Sequence, residues 1–157
     1  DFPELKSCID EDKGDIIEKK NIHLGIAVET KDGLVVPVIH QANNLSVLEF
    51  GKFIKDLADR ARERKLKPED LGGGTFTISS LDRWGGLMAT PIINYPESAI
   101  IGIHTIRKVP RYINDVIVPR LILNLSISLD HRLIDGGQAA RFVHHIKESI
   151  EACKFKV

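Results

Sequence analysis

Cysteine is scarce in this sequence: Cys8 and Cys153 lie near opposite ends and form no CxxC or zinc-like spacing. A disulfide framework is excluded, and a reduced intracellular compartment fits best, with both thiols serving as packing or surface residues. A surplus of either charge is also missing, because 22 basic residues balance 22 acidic ones. That balance excludes a nucleic-acid binder or a polybasic membrane-surface protein, so any anion site must be local. No apolar run approaches the roughly 18 residues of a membrane span. The start, Asp1-Phe2-Pro3-Glu4-Leu5, has no charged-then-apolar signal pattern and no initiator Met, so the chain reads as a fragment. Repeats, low-complexity tracts and Pro/Gly/Ser linkers are absent. Residues 1–157 are therefore expected to form one domain.

What is present is an ordinary globular balance, 43% hydrophobic and 28% charged. Residues Ile22 to Thr30 are apolar and β-branched, Lys31-Asp32-Gly33 supplies a turn, and Leu34 to Ile39 resumes the apolar run, which predicts a strand pair around Asp32-Gly33. Ser46-Val47-Leu48-Glu49 is a capping box that opens a helix, with Leu45 placed to staple onto Phe50. Phe50, Phe53, Ile54, Leu57, Ala58 and Ala61 share its apolar stripe, and Pro68 bounds it. Further strands are predicted at Thr75 to Ser80, Ser98 to Ile106 and Arg120 to Asp130, the last alternating Leu and Ile with Asn and Ser. Asn114-Asp115 reads as the turn before that strand. After Gly136-Gly137 a final helix puts Ala139, Ala140, Phe142, Val143, Ile146 and Ile150 on one side. The mixture predicts an α/β fold with helices covering an extended sheet.

The leucine-rich strand runs straight into Asp130-His131-Arg132-Leu133-Ile134-Asp135-Gly136-Gly137. A strand end followed by a glycine turn and a helix holds a side chain on a rigid element while leaving it facing a cleft. Histidine titrates near neutral pH, so His131 can take and return a proton at working pH. Asp135 lies across one turn and could fix local geometry, and Gly136 would let the backbone turn sharply. Spacing alone leaves the plainer reading open, in which these are turn residues bonded to backbone.

The run Asp130 to Gly136 resembles the DHRxxDG signature of dihydrolipoyl acyltransferases, the core components of 2-oxo-acid dehydrogenase complexes. It is also similar to the HxxxDG of chloramphenicol acetyltransferase. The likeness extends to Asn21-Ile22-His23-Leu24-Gly25-Ile26-Ala27-Val28, Gly33 to Ile39, Gly73 to Ser80, and Pro91-Ile92-Ile93-Asn94-Tyr95-Pro96-Glu97. These blocks follow family order from near Phe2-Pro3 to the C-terminus.

The resemblance implies a chloramphenicol-acetyltransferase-like α+β two-layer fold, a mixed sheet covered by helices, that forms trimers and then a cage. It implies that His131 is the general base for acyl transfer between dihydrolipoamide and coenzyme A, and that the Ser79 hydroxyl stabilises the oxyanion. Asp135 would support the active-site loop through an ion pair with an arginine, Arg132 being a candidate by proximity, while Asp130 and Arg132 could equally be mutual surface partners. His131 would come from one subunit and Ser79 from the next. Coenzyme A is the substrate, and the lipoyl group arrives on a separate lipoyl domain. The implied partners are that lipoyl domain, a 2-oxo-acid decarboxylase and dihydrolipoyl dehydrogenase, with no nucleic acid and no membrane. The compartment would be a prokaryotic cytoplasm or a mitochondrial matrix.

His144 and His145 are expected on the polar side of the last helix, and His23, His40 and His104 have no metal-like spacing. Trp84, Tyr95 and Phe76 are expected in core or interface positions. The match departs at Asp82, where the family commonly has glycine, and roughly the N-terminal third of the family's catalytic domain is expected to be missing. Three rival readings stand beside it: a chloramphenicol-type O-acetyltransferase, a mainly structural, cage-forming core protein, and a Ser-His-Asp hydrolase, against which the missing GxSxG counts.

Overall fold

The computed structural model describes residues 2–80 and 86–153. The predicted loop features Asp82 and Trp84 therefore lie outside the described residues. After a short 3-10 turn at Pro3–Lys6 the chain forms a hairpin of β1 (Ser7–Asp10) and β2 (Asp15–Glu18). Its turn is closed by Gly14 in the left-handed region, where glycine has no Cβ to clash. The predicted strand at 22–30 divides into β3 (Leu24–Ile26) and β4 (Val28–Thr30). As expected, β4 pairs with β5 (Gly33–Val35) across Asp32-Gly33, and β6 (Val38–Ile39) returns beside β3.

Helix α1 (Val47–Arg62) starts on the predicted capping box. The Glu49 N–H donates to the Ser46 hydroxyl, and Glu49 accepts from the Ser46 N–H at 2.8 Å. Leu57 and Ala61 are buried, but Phe53, expected on the same stripe, is 47% exposed. The helix rests against β4 rather than on the main sheet.

Strand β7 (Phe76–Ser80) follows, and then β8 (Ala99–Ile103), which stops short of the predicted Ile106. A hairpin of β9 (Arg107–Ile113) and β10 (Val116–Ile122) turns at Asn114-Asp115, both with positive φ, as the sequence suggested. The single long strand expected from Arg120 to Asp130 is two strands. Its first part completes the β9–β10 hairpin, and β11 (Leu125–Leu129) joins the main sheet. At the break, the Asn124 carbonyl accepts the His104 N–H, and its side-chain amide donates to the Leu87 carbonyl. The chain ends in α2 (Gly136–Glu151).

The main sheet has the order β11-β8-β7-β3-β6, with β3, β7 and β8 parallel and the two edges antiparallel. Its two faces differ in chemistry because successive side chains alternate sides. One face carries Phe76, Ile78, Ile101, Leu125, Ile127 and Leu129, and α2 covers it through Ala139, Phe142 and Ile146. The other carries the hydroxyls of Thr77, Ser79, Ser126 and Ser128, which pair across β8 at Ile100 and Gly102. The expected two-layer mixed sheet is therefore present, with α2 as its cover. Among the described residues no helix is long and apolar enough to cross a membrane.

Candidate active site

His131 sits in the turn that leaves β11, exposed to solvent. The backbone N–H groups of Leu133 and Ile134 both donate to the Asp130 carbonyl at 3.0 Å, closing the turn around the imidazole. Ile134, 1% exposed, is driven into the core beneath it. The apolar anchor fixes the loop, and the ring projects outward from it.

Asp135 is the N-cap of α2. Its carboxylate accepts the Gln138 N–H at 2.7 Å, and the Gln138 side chain accepts the Asp135 N–H at 2.8 Å. Arg132, the candidate by proximity for an ion pair with Asp135, does not pair with it. Arg132 turns instead to Asp130 at 2.7 Å and to Glu11 on the β1–β2 hairpin at 3.2 Å. The guanidinium holds the Asp130 carboxyl below its ordinary range. Gly136 is the first residue of α2 and is not among the left-handed glycines, so the sharp turn expected of it is absent.

Ser79 lies elsewhere, on the hydroxyl-bearing face near the end of β7, and lines a cavity of about 420 Å³. Ala27, Val36, Ile93 and His104 contribute to the same walls. His104 is 2% exposed, with Nε2 at 2.9 Å from the Ser126 hydroxyl, and its Nδ1 is buried with no partner among the described residues. The sequence offered no signal for His104, since its place beside Ser79 depends on the register of three strands. The Gly102 between Ser79 and Ser126 leaves space for this: a Cβ there would stand 2.7 Å from the Ser126 hydroxyl. A larger cavity of about 480 Å³ opens between the sheet and α2, and its lining of Leu24, Phe76, Ile78, Phe142 and Ile146 is apolar packing surface.

Within one chain Ser79 and His131 stand at opposite ends of the sheet. Ser79 pairs through Gly102 with Ser126, whereas β11 runs on to Leu129, opposite Ala99, before reaching His131. Five residues along the strand and two strands across put them roughly 15–20 Å apart. A single copy does not bring them together.

Other predicted positions resolve simply. His144 and His145 are exposed on α2, and His144 Nε2 meets Glu148 at 3.2 Å. Phe76 is in the core, and Tyr95 is 76% exposed in the single chain. Cys8 is buried and Cys153 exposed. A carboxyl outside the expected set also stands out: Glu97 is buried, accepts from the Thr77 hydroxyl at 2.6 Å, and burial raises its pKa.

The sequence profile for 2-oxoacid dehydrogenases acyltransferase (catalytic domain) matches residues 1–156. The chain is 45% identical over 150 residues to the dihydrolipoyllysine-residue succinyltransferase component of the 2-oxoglutarate dehydrogenase complex of Haemophilus influenzae, covering 96% of this chain and 36% of that protein. A crystallographic and enzymatic study of the dihydrolipoamide acetyltransferase of Azotobacter vinelandii, on the role of a serine, a histidine and an asparagine in its catalytic mechanism, gives a TM-score of 0.90 at 41% identity. That match covers 94% of this chain and 61% of the other. The cubic core of a pyruvate dehydrogenase multienzyme complex matches with a TM-score of 0.90 at 40% identity, covering 94% of this chain and 61% of that one. Chloramphenicol acetyltransferase, at 14% identity and a TM-score of 0.54, shares the fold alone. The chain thus spans about a third of the curated relative and three fifths of the solved cores.

Proposed function

The chain belongs to the 2-oxoacid dehydrogenase acyltransferase family, and from that premise we propose that it carries the catalytic groups for acyl transfer between dihydrolipoamide and coenzyme A. The observation that supports this most directly is a spacing. In the Azotobacter protein the named serine, histidine and asparagine are separated by 52 and then four residues. Ser79, His131 and Asp135 are separated by the same 52 and four. Asp135 replaces the asparagine, and as an N-cap either residue serves.

His131 takes the proton from the coenzyme A thiol. A thiol with a pKa near 8.5 is mostly protonated at neutral pH, and only the thiolate attacks a thioester carbonyl well. The sulfur–carbon bond to coenzyme A forms as the carbonyl becomes a tetrahedral oxyanion. Ser79 donates its hydroxyl proton in a hydrogen bond to that oxygen. The bond to the lipoyl sulfur then breaks, and His131 returns the proton to it. No acyl group need rest on the protein, because both thiols react within one channel. The mainly apolar cavity beside Ser79 suits an acyl chain better than a charged ligand.

Because one chain keeps Ser79 and His131 apart, the proposed site is shared between copies, within a trimer that builds into a cage. The length that the solved cores have beyond this match is proposed to come from sequence outside residues 1–157. A lipoyl domain, a 2-oxo-acid decarboxylase and dihydrolipoyl dehydrogenase are the proposed partners. Assaying the full protein for acyl transfer to dihydrolipoamide and to chloramphenicol tests the reading. His131→Ala should lower transfer to dihydrolipoamide on the order of 10²–10⁴-fold. Preferred transfer to chloramphenicol, or full activity of His131→Ala in an intact assembly, would refute it.

A further inference from the structure

His23 immediately precedes β3 and His40 immediately follows β6. Since Leu24 pairs with Ile39, the antiparallel register brings the two histidines face to face. Their Nδ1 atoms are 3.2 Å apart. The other contacts decide which nitrogens carry hydrogen. Nε2 of His40 lies 3.0 Å from the Glu69 carbonyl, which only accepts, so that nitrogen is protonated. Nδ1 of His23 lies 3.0 Å from the Gln41 backbone N–H, which only donates, so that nitrogen is bare. With both rings neutral, two lone pairs would confront each other at 3.2 Å. One added proton on Nδ1 of His40 removes the conflict, because the imidazolium then donates to both Glu69 and His23. A bridging metal would satisfy the same atoms, but no group of three or more His, Cys, Asp or Glu side chains among the described residues completes a shell.

We propose that His23 and His40 form a clip that holds one shared proton and fastens the 69–75 loop to the β3–β6 edge. The His40 ring and the His23 backbone both take part, beside an isolated bridge between Pro37 and Leu71. His40 grips the loop at Glu69, while the Thr75 backbone N–H and hydroxyl both donate to the His23 carbonyl, at 2.8 and 3.0 Å. That loop leads directly into β7, the strand that carries Ser79. The clip stands on hydrogen-bond geometry and is independent of the acyl-transfer reading.

A second proton would open it, since two cationic rings cannot share one hydrogen bond. Surrounding charges give no relief. Glu69 is engaged with Lys67, Asp70 with Arg60, and the Glu97 carboxylate beneath Gly74 with Thr77 and Asn94. Gln41, Asn43 and Asn44, which follow His40, are neutral. Burial and the neighbouring His40 charge hold His23 below its ordinary 6.5. The unfolded chain therefore binds this proton more readily than the folded one. Through this second proton, stability should fall as pH drops from 6.5 toward the depressed folded value.

Hydrogen–deuterium exchange of the full protein, corrected for intrinsic rates, reads the clip through peptides covering residues 69–75. Between pH 7 and pH 5 protection in the wild type should fall roughly tenfold or more, an opening free-energy change of about 1.4 kcal/mol. His23→Asn offers a side-chain oxygen in place of Nδ1 and cannot titrate, so it should keep its protection. His40→Gln cannot hold the shared proton and should be poorly protected at every pH. The proposal is overturned by pH-independent protection in the wild type or by an equal fall in His23→Asn. A metal chelator that loosens the wild type at pH 7 would also overturn it, because the bridging cation would then be a metal.

Discussion

His131 is exposed, yet its position is fixed by a neighbour that is not. Ile134, three residues on, fills the core, and the two N–H bonds to the Asp130 carbonyl make the turn between them a rigid bracket. Ile134→Ala should therefore cost about 2–5 kcal/mol in a denaturant titration, most of it from the cavity left behind. Asp135→Ala should cost about 1 kcal/mol through the lost cap, whereas Asp135→Asn should stay close to wild type in the same experiment. At this scale the sequence was readable where chemistry is local: the His131 turn, the Asp130–Arg132 pair and the helix start all follow from neighbours in the chain. It was silent on the cap at Asp135, where the free N–H groups of α2 lie closer than Arg132, the candidate by proximity. Nothing local pointed to His104, or to the meeting of His23 and His40.

Among the elements, period and turn chemistry identified α1, α2, β7, β8 and the β4–β5 turn. They failed where two strands lie end to end. Leucines continue through Leu121, Leu123 and Leu125, so apolar alternation cannot show that Leu121 is 73% exposed on a hairpin while Leu125 packs on the core. The β1–β2 hairpin went unseen because β2 is exposed along its whole length and carries no burial pattern. The β9–β10 hairpin offers a direct check on its turn. Asn114 and Asp115 both occupy the left-handed region, with φ of 48° and 62°. Asp115→Gly removes the side-chain penalty there and should raise thermal stability by up to about 1 kcal/mol. A loss of stability would mean that the Asp115 side chain contributes more than its backbone conformation costs.

Over the whole molecule, the fold places two chemically distinct ends on one sheet. The β11 end presents an imidazole, and the far end of β7 presents a hydroxyl beside a cavity. A sequence shows both groups but not the distance between them. The strand register supplies that, and the proposed reaction then requires a second copy. The decisive measurement follows from this geometry. Full-length Ser79→Ala and His131→Ala proteins are each prepared, dissociated, mixed and reassembled, and acyl transfer from acyl-CoA to dihydrolipoamide is assayed. Each variant alone should be reduced at least on the order of 10²-fold. Mixed assemblies should regain a substantial fraction of wild-type activity, because some interfaces then pair an intact His131 with an intact Ser79. Mixed assemblies no more active than the two variants assayed separately would contradict a site shared between copies, and with it the account given for His131.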